Sequence, residues 1–140
     1  MSLLRKFYLL PIEDKKLFLA AIGLSLIVKI FVFAFPLRYY SKYLTNNKSN
    51  SGTINEELIR KITIAVMRYS RYSLWPTKCL VDAITAKLLL QRNGINSTLY
   101  LGVNKDKDNK LSAHAWLKCG EKFVTGKKGF QKFTVVSSFS

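Results

Sequence analysis

The sequence predicts an α+β fold in which N-terminal apolar helices precede a small domain that ends in an antiparallel sheet. Three observations predict it. Apolar residues recur at helical spacing as far as Gly94, the period then shortens toward two, and turn signals punctuate the short runs that follow. With 140 residues, 49% of them hydrophobic and 22% charged, the chain can bury a core and is too short for a multi-domain enzyme.

The chain divides into residues 1–44, apolar and helical; 45–53, a polar linker; and 54–140, the mixed domain. From Ile12 to about Tyr43 the sequence is aliphatic and aromatic, Glu13 and Asp14 suit a helix N-terminus, and Pro36 predicts a break between two helices. Leu17 to Phe35 has about the length needed to cross hydrocarbon, but Lys29 interrupts it, so a buried or membrane-surface helix competes with a span. Lys15, Lys16, Arg38 and Lys42 flank it on both sides, which leaves its orientation open and fits peripheral attachment to anionic lipid. No export signal is read at the N-terminus. TNNKSNSGT, residues 45–53, has no apolar residue and reads as a solvated linker that would let the next block move relative to the first.

Thr53-Ile54-Asn55-Glu56 fits a capping box, and Leu58, Ile62, Ala65, Tyr69 and Tyr72 line one face of the helix after it. Pro76 and Thr77 then announce a second helix that starts around Cys79, carries Val81, Ile84 and Leu88 on one face, and stops at Gly94 with Ile95 as its hydrophobic companion. Ser97 to Val103 reads as a strand, Asn104 to Lys110 as a hairpin loop, Leu111 to Cys119 and Lys122 to Thr125 as strands around Gly120-Glu121, and Phe130 to Phe139 as a fourth strand of a meander.

Lys and Arg outnumber Asp and Glu by 23 to 8, a net charge of +15, which admits an acidic partner, a nucleic acid or an anionic membrane. The two cysteines, Cys79 and Cys119, form no zinc pattern with the single histidine, His114, and are too few for a disulfide scaffold, so a reducing cytoplasm is expected. Asp106, Asp108 and Asn109 lack the glycine and distal glutamate of a calcium loop. MRYSRYSLWPTK, residues 67–78, could meet phosphates and bases, yet its tyrosines share the apolar helix face and core packing is the better reading. No phosphate loop or dinucleotide fingerprint is present.

Cys79 in the first turn of a helix sits where the dipole and free N–H groups stabilise a thiolate. His114, between Ala113 and Ala115, leaves room for another element to approach its ring. Together they are the parts of a thiol nucleophile and its proton carrier, although a buried thiol and a core histidine would look the same in sequence. Cys119 falls on the opposite strand face from His114 and reads as a core thiol. A three-residue loop at Cys119 to Glu121 would pair His114 with Gly126; a two-residue loop would set Lys127 opposite His114 and Thr125 opposite Trp116. Neither supplies a carboxylate to hold the imidazole.

Trp75-Pro76-Thr77-Lys78-Cys79-Leu80, Ala83, Leu88 to Ile95 (LLLQRNGI), Leu99 to Val103 (LYLGV) and His114-Ala115-Trp116-Leu117 together resemble the lasso-peptide maturation protease, the stand-alone leader peptidase of the transglutaminase-like, papain-related superfamily. The likeness runs from about Ile59 to Phe139, and Phe35-Pro36-Leu37-Arg38 resembles that family's N-terminal region. It implies a cysteine peptidase that cleaves the leader from a ribosomally made precursor peptide, with Cys79 as nucleophile and His114 as general base and acid. It also implies a separate leader-recognition protein, an ATP-dependent macrocyclase acting afterwards, no cofactor and no nucleic acid, in the cytoplasm or at the inner face of the membrane. Family members often carry an aspartate twelve residues after the histidine; here that position is Gly126. A backbone carbonyl, a water or Thr125 is left to orient His114, and in the three-residue register Gly126→Asp is expected to preserve or raise hydrolysis. The contrasting expectation is a non-catalytic basic module holding an acidic peptide, a nucleic acid or a membrane, and a third keeps the dyad but transfers the acyl group to an amine.

Overall fold

The computed structural model describes residues 5, 8–34, 55–71 and 78–140. The expected break at Pro36 with its second helix, the linker 45–53, Thr53, Tyr72 and the Trp75-Pro76 approach lie outside the described residues. Among the described residues the helices α1 (Ile12–Ala34), α2 (Glu56–Arg71) and α3 (Lys78–Arg92) precede a four-stranded antiparallel sheet of β1 (Thr98–Lys105), β2 (Leu111–Cys119), β3 (Lys122–Thr125) and β4 (Thr134–Phe139). The mixed fold expected from the sequence is therefore present.

Three of the helix ends have a local cause among the described residues. Two acidic residues occupy the first turn of α1, Glu13 and Asp14, where they meet the positive end of the helix dipole. At α2 the cap is Asn55, whose Oδ1 accepts the Leu58 N–H at 3.1 Å. This corrects the expected cap at Thr53: an asparagine side chain two residues later reaches the orphan N–H directly. α3 ends in a Schellman motif, with Ile95 N–H donating to Leu90 O at 2.9 Å, Gly94 N–H to Gln91 O at 3.0 Å, and Gly94 at φ +72°. Leu90 and Ile95, both buried, make the apolar contact that accompanies it.

α3 is the centre of the molecule, packed by α1, α2 and three strands. The sequence suggested one buried face; instead nearly every residue from Val81 to Leu90 is buried, including Asp82, Thr85 and Lys87. A helix enclosed on all sides no longer needs an amphipathic stripe, and that is why the single-face reading failed. Ala21 and Val28 of α1 join Ile59, Ile62, Ile84 and Leu117 in one core. Lys61 of α2 reaches Glu13 of α1 at 3.3 Å, and Lys122 of β3 reaches Glu56 at 3.2 Å. α1 thus shares a core with the rest, where the sequence suggested two blocks free to move.

β1 and β2 pair without a slip from Thr98↔Lys118 to Lys105↔Leu111, and Leu99, Ala115 and Leu117 turn inward to the helices. The hairpin tip is ordered by Asp106, whose Oδ1 accepts the Asp108 and Lys110 N–H groups, both at 2.9 Å. The order β3-β2-β1-β4 corrects the expected meander, because β4 crosses the sheet to pair with β1. The start of the expected fourth strand is instead a 3₁₀ turn, Phe130–Lys132, that carries the chain over.

Candidate active site

Cys79 lies in the first turn of α3, as the sequence indicated, and is half-buried. No acidic side chain lies in that first turn, where the free N–H groups of the helix end carry positive partial charge. His114 lies in the middle of β2, opposite Gly102 of β1. Its ring sits on the face away from the helical core, between Trp116 at 5.9 Å and Phe133 at 5.0 Å between centroids. Tyr100 and Phe130 extend this aromatic layer, each 5.8 Å from Trp116. Gly102 makes room for it, since a Cβ there would come within 2.8 Å of both Phe133 and Trp116.

The orienting group of His114 is a backbone carbonyl. Nε2 and the oxygen of Gly126 are 2.8 Å apart. A carbonyl only accepts, so Nε2 must carry the hydrogen, and in the neutral ring Nδ1 is then the free base. The bond arises from an irregular register. Gly120-Glu121 is a two-residue turn with Cys119↔Lys122 and Lys118↔Phe123 paired; a bulge then brings Leu117 opposite Thr125. β3 ends there, and the chain turns at Gly126 with φ +75°.

Two expectations are corrected by this geometry. The three-residue loop is not adopted, and the bulge shifts Thr125 from Trp116 to Leu117. Gly126→Asp is not compatible with the turn, because a Cβ at Gly126 would lie 2.4 Å from Ala115 O and 2.7 Å from Trp116 Cβ. Thr125 is no orienter either, since its buried Oγ1 has no hydrogen bond among the described residues.

Cys119 packs against the core on the helix side, and its thiol donates to Asn96 O at 3.2 Å. Burial pushes that thiol pKa up, with Lys122 and Lys87 opposing. Among the described residues no hydrogen bond joins Cys79 to His114. Tyr69 is half-buried with the Lys29 ammonium 5.2 Å from its ring centre, so the tyrosine packs at the α1–α2 contact. Sequence reasoning missed Phe133, and it left a backbone carbonyl as one of three candidates to orient His114 without assigning it to Gly126. Gly102 opposite His114 was a visible signal for the close packing, whereas Phe133 reaches the ring only through the crossover to β4.

The chain matches the Transglutaminase-like superfamily over residues 23–138, most of its length, and belongs to that superfamily, which includes cysteine peptidases. No curated protein and no solved structure matches it.

Proposed function

We propose that this protein is a cysteine peptidase that removes the leader peptide from a lasso-peptide precursor, with Cys79 as nucleophile and His114 as its proton carrier. The observation that carries the reading is the Nε2–H bond to Gly126 O, which leaves Nδ1 as the base a thiol requires. Superfamily membership and the place of Cys79 at the start of α3 support it. The His114 ring lies on the sheet face away from the helical core, so the proposed reaction requires a movement that brings Sγ within about 3 Å of Nδ1 in the working complex.

In the proposed cycle Nδ1 takes the Cys79 proton, and the thiolate attacks the scissile carbonyl to form a C–S bond. The imidazolium returns the proton to the leaving amine as the C–N bond breaks. Water, deprotonated at Nδ1, then hydrolyses the thioester and releases Cys79. The Gly126 carbonyl keeps the ring in one tautomer throughout and its dipole favours the imidazolium. Lys118 and Lys127, whose ammonium groups lie 5.0 and 5.9 Å from the Phe123 ring centre, supply positive charge suited to an acidic leader. A separate recognition protein delivers the precursor, and an ATP-dependent macrocyclase takes the freed amine.

The test is mass spectrometry of a precursor peptide incubated with the recognition protein and either the parent chain or Cys79→Ala. Cleavage at one bond by the parent alone is expected. Equal cleavage by the variant would remove Cys79 from the mechanism, and absence of cleavage by a folded, partner-bound parent would favour a binding role.

A further inference from the structure

α1 has two apolar faces, and among the described residues one of them packs on the common core. Leu17, Ala21, Leu24 and Val28 pack inward on the common core. On the other side Ile12, Leu19, Leu26, Ile27, Ile30 and Phe31 are exposed, Leu26 by 53% and Ile30 by 66%. The exposed positions 12, 16, 19, 23, 26 and 30 alternate steps of four and three, so they form one continuous stripe. From Leu19 to Ala34, about 24 Å of helix, no charged side chain interrupts the exposed face. Lys29, in the same stretch, holds its ammonium over Tyr69 of α2, on the protein side.

Three features choose the occupant. A second copy would bring a net charge of +15 against another +15, which opposes self-association, while an anionic surface meets the charge and the apolar stripe together. The stripe is aliphatic with one phenylalanine and has no polar group between Leu19 and Ala34, whereas protein interfaces mix apolar area with polar and arginine contacts. At its N-terminal end Tyr8 is 79% exposed and Leu9 67%, with the Lys15 ammonium 5.1 Å from the Tyr8 ring centre and Lys16 exposed nearby. Aromatic and basic groups at the end of an aliphatic strip suit a lipid headgroup boundary. Among the described residues no helix is long and apolar enough to cross a membrane, and the inner face of α1 is occupied by protein, so contact is made with the helix lying flat.

We propose that the outer face of α1, from Leu19 to Ile30, beds into the surface of an anionic lipid bilayer with Tyr8 and Lys16 at the headgroups. The inference does not depend on peptidase activity. It is tested by sedimenting the full chain with vesicles of phosphatidylcholine containing about one third phosphatidylglycerol, and with phosphatidylcholine alone. The parent is expected to sediment with the anionic vesicles, less at high salt, and Leu26→Glu/Ile30→Glu to lose at least about ten-fold in binding while keeping its far-ultraviolet circular dichroism. A Leu26→Trp variant is expected to shift its added emission to the blue with anionic vesicles. A parent that stays in the supernatant, a double variant that binds equally, or an unshifted Leu26→Trp emission would each overturn the proposal. So would a parent dimer, seen by light scattering, that the double variant converts to monomer while neither binds vesicles.

Discussion

At the scale of single residues, the site turns on a glycine that contributes its carbonyl and its conformation. Gly126 holds φ +75° with Ala115 O and Trp116 crowding the place of a Cβ. A left-handed non-glycine residue costs roughly 1–2 kcal/mol, and overpacking against backbone adds a similar amount. Gly126→Asp is therefore expected to destabilise the fold by about 2–4 kcal/mol in urea unfolding, and to lower leader cleavage by moving the carbonyl from Nε2. A variant as stable as the parent would contradict the turn described. A main-chain acceptor thus holds the ring from a position twelve residues after His114, and the turn that supplies it excludes a side chain there.

At the scale of elements, helix ends and one buried lysine fix how α2 and α3 meet the sheet. Asn55→Ala removes the Leu58 cap and is expected to cost about 1 kcal/mol in denaturant unfolding; no change would mean that another group caps α2. Lys87 of α3, fully buried, donates from Nζ to the carbonyl and hydroxyl oxygens of Ser97, which ties the helix to the start of β1. Burial lowers its pKa from 10.5 to about 8, partly offset by Cys119. Between those values the unfolded chain binds the proton that folded Lys87 has released, so stability rises with pH across that window, by at most about 3 kcal/mol. Below it both states are protonated and the contribution is constant. Cys119 acts in the opposite sense: its raised pKa means that the unfolded chain loses the thiol proton first, and stability falls above about pH 9. In a Cys119→Ala background, urea midpoints are expected to rise between pH 8 and 10.5, and Lys87→Met is expected to remove that rise. Parallel pH profiles would show that Lys87 titrates normally.

At the scale of the whole molecule, a net charge of +15 should set how quickly an acidic partner is found. Association with the proposed recognition protein is expected to slow by about ten-fold between ~20 and ~150 mM salt, as measured by stopped-flow mixing. A rate independent of salt would remove the electrostatic role. At this scale too, much of the organisation was legible in the sequence. The Gly94 stop, the β1–β2 hairpin, the start of α3 at Cys79 and the face of Cys119 opposite His114 all follow from local spacing and turn chemistry. Less legible were features that depend on distant neighbours: α3 enclosed on every side, β4 beside β1, and Phe133 against the His114 ring.

The sequence alone determined which residues have the chemistry to act and which element each belongs to, because propensity, period and glycine conformation are properties of a few adjacent residues. Tertiary structure decided what holds His114. The bulge in β3 shifts the register after Phe123 and delivers the Gly126 carbonyl to Nε2. A bulge is a compromise between strand pairing and packing on a surface built by other elements, and that surface exists only once the chain has folded.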